Sequence, residues 1–288
     1  MRNLRAFLIL FASLFAIVFA VRMASGQRDL ESVMRHHNLQ SGIIAYGRAG
    51  EAPHIRAVGA EAGKVYRYWS LSKPITAAAV MAGVDQGLIS LDETFEGATV
   101  ADLLRHAGGW DREEAGDPVH SRKSPARCID MAAPPKQFTP GARAAYSNLG
   151  YCLLGRLIEE RFGKPYHEVV NELFPETQAM EYDEWLGPAG GWSGTAEQYF
   201  AFASRPVDKR ALERPPYARK GAYYAMGWRE MGNGTLSHYG VVTGTGTDDY
   251  TVVYKRDDWV AVGLFSGMPA DWEGAREDLL PALWQLSH

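Results

Sequence analysis

The β-forming residues of this chain lie at its two ends, and that separation constrains the fold more than any other feature. Near the start, residues 41–47 and 54–60 read as short strands joined by the turn Gly50-Glu51-Ala52-Pro53. Near the end, residues 250–254 and 259–265 are rich in β-branched and aromatic side chains and flank the charged turn Lys255-Arg256-Asp257-Asp258, the pattern of a hairpin. Between them, residues 70–205 read as mostly helical. The clearest helix spans Asn148–Phe162, with Leu149, Leu153, Leu154, Leu157 and Ile158 on one broad face and Gly163 and Pro165 as its stop. A polar helix over residues 28–37 precedes the first strand, and an amphipathic stretch over 272–286, bent at Pro281, follows the last. The expected architecture is α/β (α+β): an antiparallel sheet built from both termini and flanked by helices, with a mostly helical inserted subdomain.

Ser70-Leu71-Ser72-Lys73 is the one S-x-x-K in the chain, and it falls where a strand-like run (residues 65–69) meets an alanine-rich helical stretch (residues 75–87). A serine hydroxyl is a poor nucleophile until a base takes its proton. Residues three apart on a helix share a face, so the Lys73 amine can reach the Ser70 hydroxyl. Pro74 is tolerated only in the first turn of a helix, which places the helix start near Ser70. The serine then sits at the helix mouth, where partial positive charge and free N–H groups favour an oxyanion.

Two further triplets follow in order. Tyr146-Ser147-Asn148 is the one Y-x-N in the chain and opens a helix; His238-Tyr239-Gly240 precedes a β-rich run. Taken singly, Tyr146 reads equally as a core-edge aromatic, Asn148 as a helix N-cap and His238 as an ordinary strand histidine. In order with Ser70 and Lys73, they resemble the three motifs of the β-lactamase-related serine hydrolases: class C β-lactamases, D-alanyl-D-alanine carboxypeptidases and esterase relatives. The segments SLSKPITAAAVMAGVDQGLISLDETF, ADLLRHAGGW, FTPGARAAYSNLGYCLLGRLIEERFGKPYHEVV, GGWSGTAEQYFAF and YYAMGWRE are similar to family segments in family order.

The resemblance implies acyl transfer through an ester on Ser70, with Lys73 and Tyr146 sharing the proton work. It implies an oxyanion hole made by the backbone N–H groups of Ser70 and Val241. Asn148 would hold a substrate amide, His238 would supply positive or hydrogen-bonding character near Tyr146, and Gly240 would let an edge strand approach the substrate. The substrate class is a small ester, a β-lactam or a peptidoglycan-type amide. A protein that is acylated but hardly turns over is a third possibility. Two departures argue against efficient β-lactam recognition. Tyr239 stands where many relatives carry a small threonine, with His238 in place of lysine, and only 91 residues separate Tyr146 from His238. His106 reads as structural packing, and Gly190-Gly191-Trp192 as a cleft wall.

Met1-Arg2-Asn3-Leu4-Arg5 and the uncharged residues 6–21 read as an export signal cleaved after Gly26, or else as an uncleaved N-terminal anchor. Residues 27–288 would then be one catalytic domain in the periplasm or outside the cell, touching the membrane only if the segment is retained. Removing the charge of Arg2, Arg5 and Arg22 takes the formal net charge from −4 to −7. There is no dense Lys/Arg stripe, which argues against nucleic acid as a partner. Arg122-Lys123 reads as part of a solvated loop. Cys128 and Cys152 flank the Tyr146 motif, and export would let them pair; two buried free thiols are the equal alternative. No metal or organic cofactor is implied. His167-Glu168 is followed by Asn171 where H-E-x-x-H needs its second histidine, and His36 and His37 are adjacent and would point to different parts of a helix surface. No G-x-S-x-G elbow is present.

Overall fold

The computed structural model describes residues 29–121, 126–242 and 248–287. The expected leader over residues 1–26 and the Arg122-Lys123 loop lie outside them. The chain begins with α1 (Leu30–His36), capped by the Asp29 carboxylate on Ser32 N–H, and continues into β1 (Ser41–Arg48), β2 (His54–Val58) and the short β3 (Tyr66–Arg67). Then come α2 (Ser72–Asp85), the small hairpin of β4 (Thr94–Phe95) and β5 (Ala98–Thr99), α3 (Val100–Leu104), and the single turns α4 (Arg112–Ala115) and α5 (Pro118–Ser121). They are followed by α6 (Asn148–Phe162), α7 (Tyr166–Leu173), β6 (Glu181–Tyr182), β7 (Trp192–Gly194) and α8 (Ala196–Ala203). The chain returns through β8 (Tyr223–Tyr224), β9 (Arg229–Glu230), β10 (Leu236–Gly240), β11 (Asp249–Arg256) and β12 (Trp259–Ser266) to α9 (Trp272–Trp284).

The main sheet has the order β2-β1-β12-β11-β10-β9-β8, and its pairs are antiparallel. The two ends of the chain meet at its centre. β1 pairs with β12 over its whole length, from Ser41 opposite Ser266 to Arg48 opposite Trp259. Strand alternation then builds two cores. Val260, Val262 and Leu264 of β12 join Ile43, Ala45 and Val253 in the core shared with α2, α6 and α8. Trp259, Ala261 and Phe265 face the other way and pack with Ile44, Tyr250, Val252 and the apolar residues Leu30, Val33, Leu279 and Leu283 of α1 and α9. Helices therefore cover both sheet faces, which is why β12 is apolar on both sides.

The α6 boundaries are those read from the pattern, and Gly163 ends the helix in the left-handed region at φ 66°. Other elements differ from expectation. The run over residues 65–69 supplies only β3, because the chain must leave the strand to enter the turn carrying Ser70. The β11–β12 hairpin is tighter than the four-residue turn expected: Arg256 pairs with Trp259, leaving Asp257-Asp258 as the loop with Asp257 at φ 53°. α9 holds Pro281 within the helix, as the sequence reading had it. His36 and His37 do not diverge. His37 has left helical geometry as the C-cap of α1, so its ring comes within 4.7 Å of His36 and its Nε2 lies 3.0 Å from Asp278 of α9. Cys128 and Cys152 are joined in a disulfide with their Cα atoms 5.4 Å apart, tying the segment before the Tyr146 loop to α6. Among the described residues, no helix is long and apolar enough to cross a membrane.

Candidate active site

Ser70 lies not in the first turn of α2 but just ahead of it, in a 3-10 turn over Trp69–Leu71. Pro74 is the third residue of α2, where its missing N–H leaves no helical bond unmade. The backbone entering the turn is clamped from two sides. Tyr68 N–H donates to Trp192 O at 2.9 Å, and Thr251 Oγ1 of β11 donates to Tyr68 O at 2.9 Å. Trp69 is held there at φ 50°, a costly conformation for a bulky residue that persists because its surroundings fix it.

The groups expected to work together do converge. Lys73 Nζ lies 3.0 Å from Ser70 Oγ, and Tyr146 donates its hydroxyl to the same Oγ at 2.7 Å. Lys73 is fully buried, and its amine also donates to Asn148 Oδ1 and to Ala189 O, each at 2.7 Å. Burial drives its pKa well below the ordinary lysine value; Asp117 opposes that shift and Arg112 reinforces it. Burial likewise pushes the Tyr146 hydroxyl well up, holding it as the phenol. Three oxygens surround the amine; in its neutral form two N–H groups can serve Asn148 and Ala189 while the lone pair accepts from the Ser70 hydroxyl. Asn148, expected to hold a substrate amide, has its Oδ1 on Lys73 and donates from Nδ2 to Asp117.

His238 is buried and does not supply positive charge. Desolvation, then the nearby Lys73, bring its pKa down to about 3. Its Nδ1–H donates to Tyr239 O at 2.8 Å, so Nε2 accepts from the Tyr224 hydroxyl at 2.8 Å. His106 is the packing residue the sequence suggested. Its ring lies 4.2 Å from that of Tyr146, and its Nδ1 accepts from Ser147 N–H at 3.2 Å.

Gly240 meets a constraint that the sequence reading did not foresee. A Cβ there would stand 2.3 Å from Tyr68 O and 2.9 Å from Ser70 N, so the bare backbone makes room for the turn that carries Ser70. β10 is a sheet edge only in part. β9 pairs with Leu236 and Ser237, and its pairing stops before His238.

Ser70, Tyr146, His238, Tyr239 and Val241 line one cleft of about 240 Å³, with Tyr224, Arg112, Arg229 and three residues of α9: Trp272, Glu273 and Arg276. The Tyr239 ring stacks on Tyr250, with centroids 5.9 Å apart, and burial, then the nearby Glu273 carboxylate, push its hydroxyl's pKa up to about 12. Arg276, 1% exposed, pairs with the same Glu273 at 2.5 Å. Arg229 brings an Nε that is buried with no hydrogen-bond partner. Trp192 is not a cleft wall: it is fully buried in β7, its indole N–H on Tyr166. Sequence reading gave no role to Asp117, Tyr224, Arg229, Glu273 or Arg276: Tyr224 and Arg229 lie in the family-like segment YYAMGWRE, and the other three meet the site only through the fold.

The likeness that this geometry suggests is carried by comparison. Residues 28–176 match the family described as Beta-lactamase. The chain belongs to the beta-lactamase family. Esterase EstB of Burkholderia gladioli is 29% identical over 213 residues, covering 59% of this chain and 54% of that protein. The D-alanyl-D-alanine-carboxypeptidase/endopeptidase AmpH of Escherichia coli (strain K12) is 26% identical over 159 residues, 48% of this chain and 40% of AmpH. The matched part spans about a third to about half the length of the curated relatives of this family member. A penicillin binding protein from Bacillus halodurans superposes with a TM-score of 0.70 at 19% identity, over 89% of this chain and 99% of that one, which shows the shared family fold. The family is one of serine hydrolases.

Proposed function

We propose that the protein is an exported serine hydrolase that cleaves an ester or amide through an acyl-enzyme on Ser70. The observation that carries this reading is the convergence of Lys73 Nζ and the Tyr146 hydroxyl on one Ser70 Oγ at the mouth of a cleft. Lys73, neutral through burial, takes the Ser70 proton as Oγ attacks the carbonyl carbon. Tyr146, held as a phenol, hands its proton to the leaving group, and the Lys73 ammonium, with Nζ 4.8 Å from the Tyr146 ring centroid, then gives the phenolate the proton it took from Ser70. In the second half-reaction water takes the place of the leaving group, and the proton path runs in reverse. The N–H groups of Ser70 and Val241 form the oxyanion hole; one such donor contributes about 3–4 kcal/mol to the transition state.

An uncharged ester suits the cleft best. His238 is neutral, Arg276 is already paired with Glu273, a carboxylate of the protein's own, and the same carboxylate stands near the Tyr239 hydroxyl. One observation favours a second reading, a β-lactam or D-Ala-type substrate: Arg229 lines the cleft, and its guanidinium could pair with a substrate carboxylate. Three probes separate the readings. Turnover of a p-nitrophenyl ester alone means esterase, turnover of nitrocefin means lactamase, and stable labelling by a tagged penicillin without turnover means a binding protein. No reaction with any of them rejects the proposal.

A further inference from the structure

The carboxylate of Asp117 lies two hydrogen bonds from the Lys73 amine, and we infer that it is a positioning residue that orients Asn148 and sets the pH range in which Lys73 is a base. This rests on the proposed role of Lys73. Asp117 is itself held in place: its Oδ1 accepts from Val119 N–H at 3.0 Å and His120 N–H at 3.3 Å, at the start of α5. Its Oδ2 accepts from Asn148 Nδ2. A carboxylate only accepts, so it can face only the NH₂ end of the Asn148 amide. The carbonyl end is thereby fixed toward Lys73, where it accepts from the amine; in the neutral amine that leaves the lone pair free for the Ser70 hydroxyl 3.0 Å away. With Asp117 absent, the amide is free to turn its NH₂ end to the amine, where no acceptor would meet Lys73.

The second effect is charge. Lys73 faces Asn148 and Tyr151 of α6, the Tyr146 ring at 4.8 Å, Arg112 of α4, and the buried neutral imidazoles His106 and His238. Against burial and Arg112, Asp117 is the carboxylate that favours the ammonium. It opposes the burial that lowers the Lys73 pKa, and so favours the return of the proton that the base has taken.

Asp117→Asn tests both effects: it removes the charge, and its single amide oxygen can serve the α5 N–H groups or Asn148 but not both, so the hold on the Asn148 amide is lost with it. Lysines carrying ¹³C at Cε report the titration by NMR, with the Lys73 resonance identified by its loss in Lys73→Arg. In Asp117→Asn the Lys73 midpoint falls to lower pH, and Asp117→Glu, which restores the charge, moves it back. On whichever probe is turned over, the acidic limb of kcat/KM moves in the same direction, so the rate on that limb rises severalfold relative to the plateau. A Lys73 midpoint that is unchanged or raised in Asp117→Asn overturns the inference. The NMR readout needs no substrate, so a protein inert to every probe defeats the hydrolase reading while Lys73 still decides the role of Asp117.

Discussion

Lys73 and Tyr239 are the residues on which the chemistry and the substrate depend. If Lys73 acts as a neutral base, charge alone cannot replace it, because arginine does not deprotonate in a protein. Lys73→Arg therefore loses nearly as much activity as Lys73→Ala, measured as kcat/KM on the best probe. An active arginine variant would make Lys73 an anchor and leave the proton to Tyr146. On the proposed reading Tyr239 bears on selectivity: it lines the cleft beside Glu273, and burial pushes its hydroxyl's pKa up to about 12. In Tyr239→Thr a small hydroxyl replaces the phenol and the cleft opens. The kcat/KM for a carboxylate-bearing β-lactam should then gain about ten- to a hundredfold relative to that for an uncharged ester, the worth of one hydrogen bond to a charged group. An unchanged ratio would clear Tyr239 of any part in substrate choice.

The elements show why some of this was legible in the sequence and some was not. Periodicity located α6 because Leu149, Leu153, Leu154, Leu157 and Ile158 repeat over several turns, and β-branched runs located β1, β11 and β12. Local signals also placed Ser70, Lys73, Tyr146 and Asn148, since each belongs to a triplet or tetrad short in sequence. The Asp117, Glu273 and Arg276 side chains gave no such signal. Each is an unremarkable charged residue until α5 or α9 carries it to the cleft. The role of Gly240 was equally hidden, because the atom that needs the space, Tyr68 O, lies far away in sequence. That contact carries a prediction. A methyl group in Gly240→Ala would push β10 off the Tyr68–Ser70 backbone, and a displacement of about 1 Å at the nucleophile costs about a hundredfold in rate. The test is kcat/KM of Gly240→Ala beside its melting temperature; a folded variant with wild-type kcat/KM would show that the turn absorbs the methyl group.

For the molecule as a whole, the two buried histidines beneath the site tie folding to pH. His106 and His238 are both held neutral, chiefly by burial, with His238 down to about 3 from an ordinary value of 6.5. Below the ordinary value the unfolded chain binds protons that the folded chain refuses, so stability is present above about pH 6.5 and is lost as pH falls toward the folded values. Each such histidine costs about 1.4 kcal/mol per pH unit within that window. Urea midpoints at pH 7, 6 and 5 should fall steadily, and His238→Gln should reduce the slope by about one proton. A flat profile would mean that these rings take up protons in the folded protein.

The hydrolase reading stands or falls on a covalent bond to Ser70. The protein should be incubated with the p-nitrophenyl ester and with a penicillin, quenched in acid, digested and analysed by mass spectrometry. The expected result is an acyl adduct on the peptide containing Ser70, at the serine itself, together with its absence in Ser70→Ala and a loss there of several orders of magnitude in turnover. An adduct on another residue, or a Ser70→Ala variant within about tenfold of the wild-type rate, would contradict it.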